Sequence, residues 1–378
     1  MRMSNFKIIV AVVLATAILF FMSDQVIEPE SHNQQKTGVY MEDSFVYKRT
    51  EEVIHGYPQV IHKITLDIRD PRLEIVPVLS DDSIFGYETT SAMATRHNAK
   101  AAINGGFFYE YGQPSGLVII DGKLLHTGMN MQAAPTLVID NKRNAMLMDV
   151  STRLWAEIGD HIVNLDGINR EPGMDEIILF TPEYGYDTRM DGINTYNTII
   201  RQEKTAGLSC TYEAINIPRD GLIITGTGKR MEEIVQSNIN NGLTVKIHVD
   251  TKSIDSSSVV HAYEGGFWVV KNGVDVMRPE EKWVGLTINR EPRTVVGIEE
   301  PTGRVVFLVV DGRQPGYSLG FNGEELAAYL LQHHVNNAIM LDGGASSTMV
   351  MNGAVVNRPS YRGEERTVGG ALIVKFDK

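Results

Sequence analysis

Hydrophobic positions in this chain fall in short runs that stop at turn residues. Val60 to Ile68 alternates as a half-buried strand, and Leu73 to Leu79 gives a second, in which Pro77 points to a sheet edge or a bulge. Thr90 to His97 reads as a short helix. Asp121-Gly122, Asn272-Gly273 and Asn352-Gly353 each interrupt an apolar stretch, and such pairs supply the positive φ of tight hairpin turns. Thr136 to Asp140, Glu176 to Phe180 and Ala371 to Phe376 are further strands, while residues 145 to 290 otherwise carry little periodicity.

The C-terminal third is denser in signals. Val305 to Val310 is continuously apolar, as expected of a strand buried on both faces, and it ends at Asp311-Gly312-Arg313. Asn322 with Glu325 forms a helix-capping pair, Leu326, Tyr329 and Leu330 make an apolar stripe, and His333-His334 ends the helix. A strand from Ala338 to Leu341 follows. This spacing predicts a parallel strand-helix-strand unit, which puts Asp311 and Asp342 on one edge of a sheet, where ligands of open α/β sheets bind. The fold class expected is α+β: mixed β-sheets with packed helices, that parallel C-terminal unit and several hairpins.

Two apolar runs end alike. Ala101 to Ile103 stops at Asn104-Gly105-Gly106-Phe107-Phe108, and Ala338 to Leu341 stops at Asp342-Gly343-Gly344-Ala345-Ser346-Ser347-Thr348. Glycines let a backbone approach a ligand, and successive N–H groups in such a turn suit anions, although Asp-Gly-Gly is also an ordinary turn. Gly265-Gly266-Phe267 echoes the first corner, and Asn289 to Pro292 repeats Asn169 to Pro172; without a fixed period these are weak support for duplication.

Residues 1–24 have the form of a signal peptide or N-terminal membrane anchor, with Arg2 and Lys7 ahead of an apolar run from Ile8 to Met22. Residues 25–51 read as a polar spacer and 52–378 as the folded domain, outside the cytoplasm or at the cell surface. A membrane would be met only through the N-terminal segment. The net charge of −12 and pI near 5.4 argue against nucleic acid as a partner. Cys210 stands alone, which rules out an intrachain disulfide and suggests a core residue rather than a nucleophile.

Several motifs resemble the phosphodiester glycosidase family when taken in order: Pro292 to Gly297, Asp311 to Arg313 with Gly316 to Gly320, Glu325 to Ala327, Leu341 to Thr348, and Asn357 to Ser360 leading to Arg366. Asn104 to Phe108 with Pro114 and Gly116 resembles that family's N-terminal motif. Ala345 departs from the pattern, where a third glycine is expected. The resemblance spans residues 60 to 376 and implies cleavage of a sugar-1-phosphodiester of the N-acetylglucosamine kind, in a surface or environmental glycopolymer.

That reaction expels a phosphate monoester, already a stable anion, so cationic stabilisation of the leaving group outweighs acid assistance. On this reading Asp342 or Asp311 acts on the anomeric side, Arg293, Arg313 and Arg366 grip the phosphate, and Asn104 and Ser346 orient the sugar. Gly105, Gly106, Ser318, Gly343, Gly344, Thr348 and Asn357 are the other candidate substrate contacts. The histidines show no metal-ligand spacing and no cofactor is expected, though the Asp-rich turns leave room for a structural calcium ion. Two other classes stay open: a non-catalytic polysaccharide-binding protein on the same scaffold, and a metal-dependent phosphodiesterase cutting the other side of the phosphate.

Overall fold

A computed structural model describes residues 38–129, 131–236 and 242–376, with side chains from residue 42 onward. The expected N-terminal leader or anchor lies outside the described residues. Within residues 38–51, read as spacer from sequence, 38–42 and 45–51 instead belong to strands Gly38–Glu42 and Phe45–Ile54, joined by a turn at Asp43-Ser44. Among the described residues no helix is long and apolar enough to cross a membrane.

The largest sheet has eight strands in the order Gly38–Glu42, Phe45–Ile54, Tyr57–Leu66, Arg304–Val310, Arg293–Glu299, Val335–Met340, Phe267–Lys271 and Val274–Asp275. Every neighbouring pair in it is antiparallel. A five-stranded antiparallel sheet, ordered Ala354–Val355, Met349–Met351, Ala101–Asn104, Gly370–Phe376 and Leu73–Leu79, packs on one of its faces. Pro77 lies on the outer strand of that sheet, where a missing N–H costs least.

The expected α+β class with a parallel unit is overturned. The protein is mostly β, with three α-helices among the described residues, and its one parallel pairing there joins Gly167–Ile168 to Ile177–Phe180. Arg304–Val310 and Val335–Met340 do run in the same direction, but Arg293–Glu299 lies between them, antiparallel to both. The continuous apolar run has another cause. Val305, Phe307 and Val309 face the second sheet, whereas Val306, Leu308 and Val310 join a cluster with Leu326 and Leu330 of the helix Gly323–Gln332. The run therefore reports cover on both faces rather than parallel pairing. Each such fully buried side chain is worth about 1.5–3 kcal/mol.

Helix Gly323–Gln332 starts at the expected capping box: Asn322 accepts from Glu325 N at 2.8 Å, and the Glu325 carboxylate returns to Asn322 N at 3.3 Å. The same carboxylate pairs with Arg290, which fixes the helix start against the Asn289–Pro292 corner. Asp121-Gly122, Asn272-Gly273 and Asn352-Gly353 all adopt positive φ at both positions, as their hairpins require. Cys210, expected in the core, is exposed on the strand Lys204–Thr211.

Candidate active site

Three strands end at one place, each in a polar residue followed by Gly-Gly. Asn104 closes Ala101–Asn104, Glu264 closes Val259–Glu264, and Asp342 follows Val335–Met340. Asp342 N donates to Gly105 O at 3.1 Å, and Gly266 N donates to Met340 O at 2.8 Å. A methyl group on Gly106 would stand 2.8 Å from Glu264 O, and one on Gly266 only 2.2 Å from the Phe107 ring. The paired glycines thus let three backbones touch. The Gly-Gly-Phe echo is two segments packed against each other, with the rings of Phe107 and Phe267 stacked at 6.5 Å.

Asn104 is fully buried and spent on the scaffold. Its Nδ2 donates to Asp342 O at 2.6 Å, while its Oδ1 accepts from Thr348 N at 3.1 Å and Thr294 Oγ1 at 2.9 Å. It clamps the Asp342–Thr348 loop to the start of Arg293–Glu299. Thr348 is buried in that clamp, and Gly105 and Gly106 are buried beside it.

Asp311 sits on the same sheet edge as Asp342, because the strands before them run in the same direction. It is fully buried, and accepts from Asn357 Nδ2 at 2.9 Å, Arg358 N at 3.1 Å and Tyr317 OH at 3.0 Å, with His62 Nε2 at 3.4 Å. Asn357 also donates to Ser347 O and accepts from Met349 N. Ser318 donates to Asp311 O at 2.6 Å and accepts from Val60 N. Asp311, Asn357 and Ser318 therefore form an internal knot tying the 311–318, 347–349 and 357–358 segments together.

Arg293 is likewise buried, with Nε on Phe321 O at 3.0 Å and Nη2 on Asn289 O at 2.9 Å. Burial pushes its pKa down to about 10, with neighbouring Glu291 opposing and Arg313 reinforcing. Even so it stays charged at neutral pH, holding two loops from beneath.

The accessible face is formed by Asp342, Gly343, Gly344, Ala345, Ser360 and Arg366, with Arg313 exposed at its rim. Burial raises the Asp342 carboxyl above the usual range, opposed by a hydrogen bond with Ser346, the charge of Arg366 and the Gly343 N–H. Arg366 Nη1 donates to Ser346 Oγ at 3.3 Å and its guanidinium lies 5.3 Å over the Phe108 ring. Arg313 pairs with Glu291 and backs onto Gly344, where a methyl group would meet Nη2 at 3.0 Å. The positive φ of this loop, +60°, falls on Gly344, so the methyl of Ala345 introduces no backbone strain.

Glu264 was not singled out from sequence. Its signal in the sequence is a third polar-Gly-Gly corner, Glu264-Gly265-Gly266. Its carboxylate lines a cavity of about 190 Å³ together with Tyr109, Ser115, Gly128, Lys282 and Trp283. Oε2 accepts from Leu117 N at 2.8 Å. Burial pushes its pKa up to about 7 against the pull of that N–H and of Lys282. No three His, Cys, Asp or Glu side chains converge on one point among the described residues.

Residues 193–375 match the family model described as phosphodiester glycosidase. The bovine N-acetylglucosamine-1-phosphodiester alpha-N-acetylglucosaminidase is 32% identical over 155 residues, 38% of this chain and 25% of that enzyme. The chain spans 13% to 26% of the length of the curated relatives it matches. In fold it resembles a hypothetical protein of Synechocystis, with a TM-score of 0.78, 17% identity, and coverage of 91% of this chain and 64% of that one. A Burkholderia pseudomallei protein provisionally described as exported gives 0.68 and 21%, over 84% and 74% of the two chains. The matched stretch, residues 193–375, holds every accessible residue of the Asp342 loop and its rim named above, and it is this part of the chain that resembles the phosphodiester glycosidase family.

Proposed function

We propose that the protein is a hydrolase acting outside the cytoplasm, which cleaves the sugar side of a sugar-1-phosphodiester in a glycopolymer. The observation that carries this reading is the accessible Asp-Gly-Gly loop, where one desolvated carboxylate, Asp342, stands beside Arg366 with Arg313 on the rim. Water adds to the anomeric carbon, the C1–O bond breaks, and the phosphate monoester leaves with the bonding electrons. Two guanidiniums can hold that phosphate by paired hydrogen bonds. Asp342, made more basic by burial, serves on the anomeric side as base or nucleophile. Asn104, Asp311, Asn357 and Arg293 hold the loops that carry these groups, and are positioning residues.

Incubation with an N-acetylglucosamine-1-phosphodiester, with and without chelator, tests the proposal. Free sugar with an intact phosphate monoester, lost by about 10²-fold or more in Asp342→Asn, is expected. Sugar-1-phosphate that disappears with chelator would assign the cut to the other side of the phosphate. Retention of polymer without turnover would make this a binding protein.

A further inference from the structure

The Glu264 cavity shares no lining residue with the Asp342 loop. Tyr263 and Glu264 are successive residues of a strand and point to opposite faces. Tyr263 OH accepts from Gly106 N on the Asp342 side, while Glu264 turns toward Gly116 and Gly128. A methyl group on Gly116 would stand 2.3 Å from Glu264 Cδ, and one on Gly128 would stand 3.6 Å from Oε2. Bare backbone at Gly116 therefore makes the room in which this carboxylate stands, whereas a methyl group at Gly128 would make only ordinary contact.

What the cavity offers is specific. Oε2 is fixed by Leu117 N, and Oε1 has no hydrogen-bond partner among the described residues, so it asks for a donor. Lys282 Nζ, 4.9 Å over the Trp283 ring, asks for an acceptor. Ser115 offers both. Tyr109 and Trp283, at 5.4 Å, add aromatic surface, and Trp283 is held flat by Phe107 at 5.1 Å and 11°. Glu264 and Lys282 oppose each other in charge, so the cavity suits a neutral ligand bearing several hydroxyls. A phosphate would meet the carboxylate. The volume, about 190 Å³, far exceeds the ~10–15 Å³ that one water requires. Through Tyr109 and Met129 the cavity adjoins a wider groove, so a ligand carrying further units is not blocked.

We propose that the cavity over Glu264 is a binding site for a neutral pyranose ring, in which Glu264 accepts from sugar hydroxyls beside the Trp283 and Tyr109 rings. The inference rests on the carbohydrate reading above and assigns a sugar unit other than the one cleaved at Asp342 a place apart from the arginine-lined loop.

The test titrates the full chain with N-acetylglucosamine by calorimetry and by tryptophan fluorescence, and separately with inorganic phosphate. The sugar is expected to bind wild type and Asp342→Asn alike, and about tenfold or more weaker in Glu264→Gln and Gly116→Ala. Phosphate affinity is expected to stay unchanged in both cavity variants. Glu264→Gln keeps an acceptor for Leu117 N, and folding of each variant is checked by its thermal midpoint. Sugar affinity unaltered by either folded variant, or no sugar binding to wild type, overturns the proposal. Diester cleavage with sugar binding indifferent to Glu264 would sink this inference alone. Sugar binding that needs Glu264 in a chain that cleaves no diester would sink only the proposed reaction.

Discussion

Glu264 and His126 titrate in opposite directions on either side of Gly116, so substituting one exposes the other. His126 is buried, with Nδ1 2.8 Å from Gly116 O and Nε2 3.2 Å from Gln113 Nε2. A neutral ring that donates at Nδ1 and accepts at Nε2 satisfies both contacts. Burial pushes its pKa from 6.5 down to about 4, with Arg170 reinforcing and the Gly116 carbonyl opposing. Glu264 moves from 4.5 up to about 7. Unfolding therefore releases a proton from Glu264 between about pH 4.5 and 7, and stability falls as pH rises through that window. His126 takes up a proton on unfolding between about pH 4 and 6.5, and its contribution is lost as pH falls through that range. Each shift is worth about 3 kcal/mol in full, and across the shared window the two nearly cancel. Glu264→Gln removes one slope. Its stability relative to wild type should rise by about 3 kcal/mol from pH 4.5 to 7, or about 4 °C in thermal midpoint for a chain of this size. His126→Gln should show the opposite trend, gaining on wild type as pH falls. Because each comparison is a difference between variant and wild type at the same pH, the other carboxylates drop out. A Glu264→Gln difference constant to within about 0.5 kcal/mol from pH 4.5 to 7.5 would refute the reasoning.

Asp311→Ala should cost about 3 kcal/mol, because it leaves the buried donor of Asn357 and the part-buried donors of Arg358 and Tyr317 without their acceptor; an unchanged thermal midpoint would contradict the knot described for it. Arg366→Lys keeps the charge but loses the planar fork, so KM for a phosphodiester should rise about tenfold with a smaller change in kcat, and equal loss in both would place Arg366 elsewhere in the reaction. Gly266→Ala forces a methyl onto the Phe107 ring and should destabilise by about 1–3 kcal/mol in a denaturant titration.

Much of the strand layout was legible because its punctuation is local. Asx-Gly turns, the Asn322–Glu325 cap and Pro77 each act within a few residues, and each landed where its chemistry allows. The antiparallel arrangement of the C-terminal strands has a cause beyond any local window. Nothing between residues 304 and 340 reveals that the preceding strand, Arg293–Glu299, occupies the slot between the two. The site was legible as a set of corners but not as a division of labour. Asn104, Asp311 and Asn357 are small polar residues at strand ends, like Asp342, and only the fold shows that their hydrogen bonds are consumed internally. Glu264 escaped notice because a carboxylate earns its perturbed chemistry from a cavity, and cavities leave no spacing in a sequence.

The strand Gly370–Phe376 lies inside its sheet, seated between Ala101–Asn104 and the edge strand Leu73–Leu79, with Ala371 opposite Asn104. Asn104 thus waits for a partner made 267 residues later. At about 5–20 residues per second, a ribosome needs roughly 15–50 s to supply it. Through that interval two apolar strands lack their shared neighbour, and until Thr348 is made the clamp on the Asp342 loop cannot close. The geometry of the Asp342 loop is then acquired late in synthesis, and the nascent chain needs protection from edge-to-edge pairing until that last strand arrives.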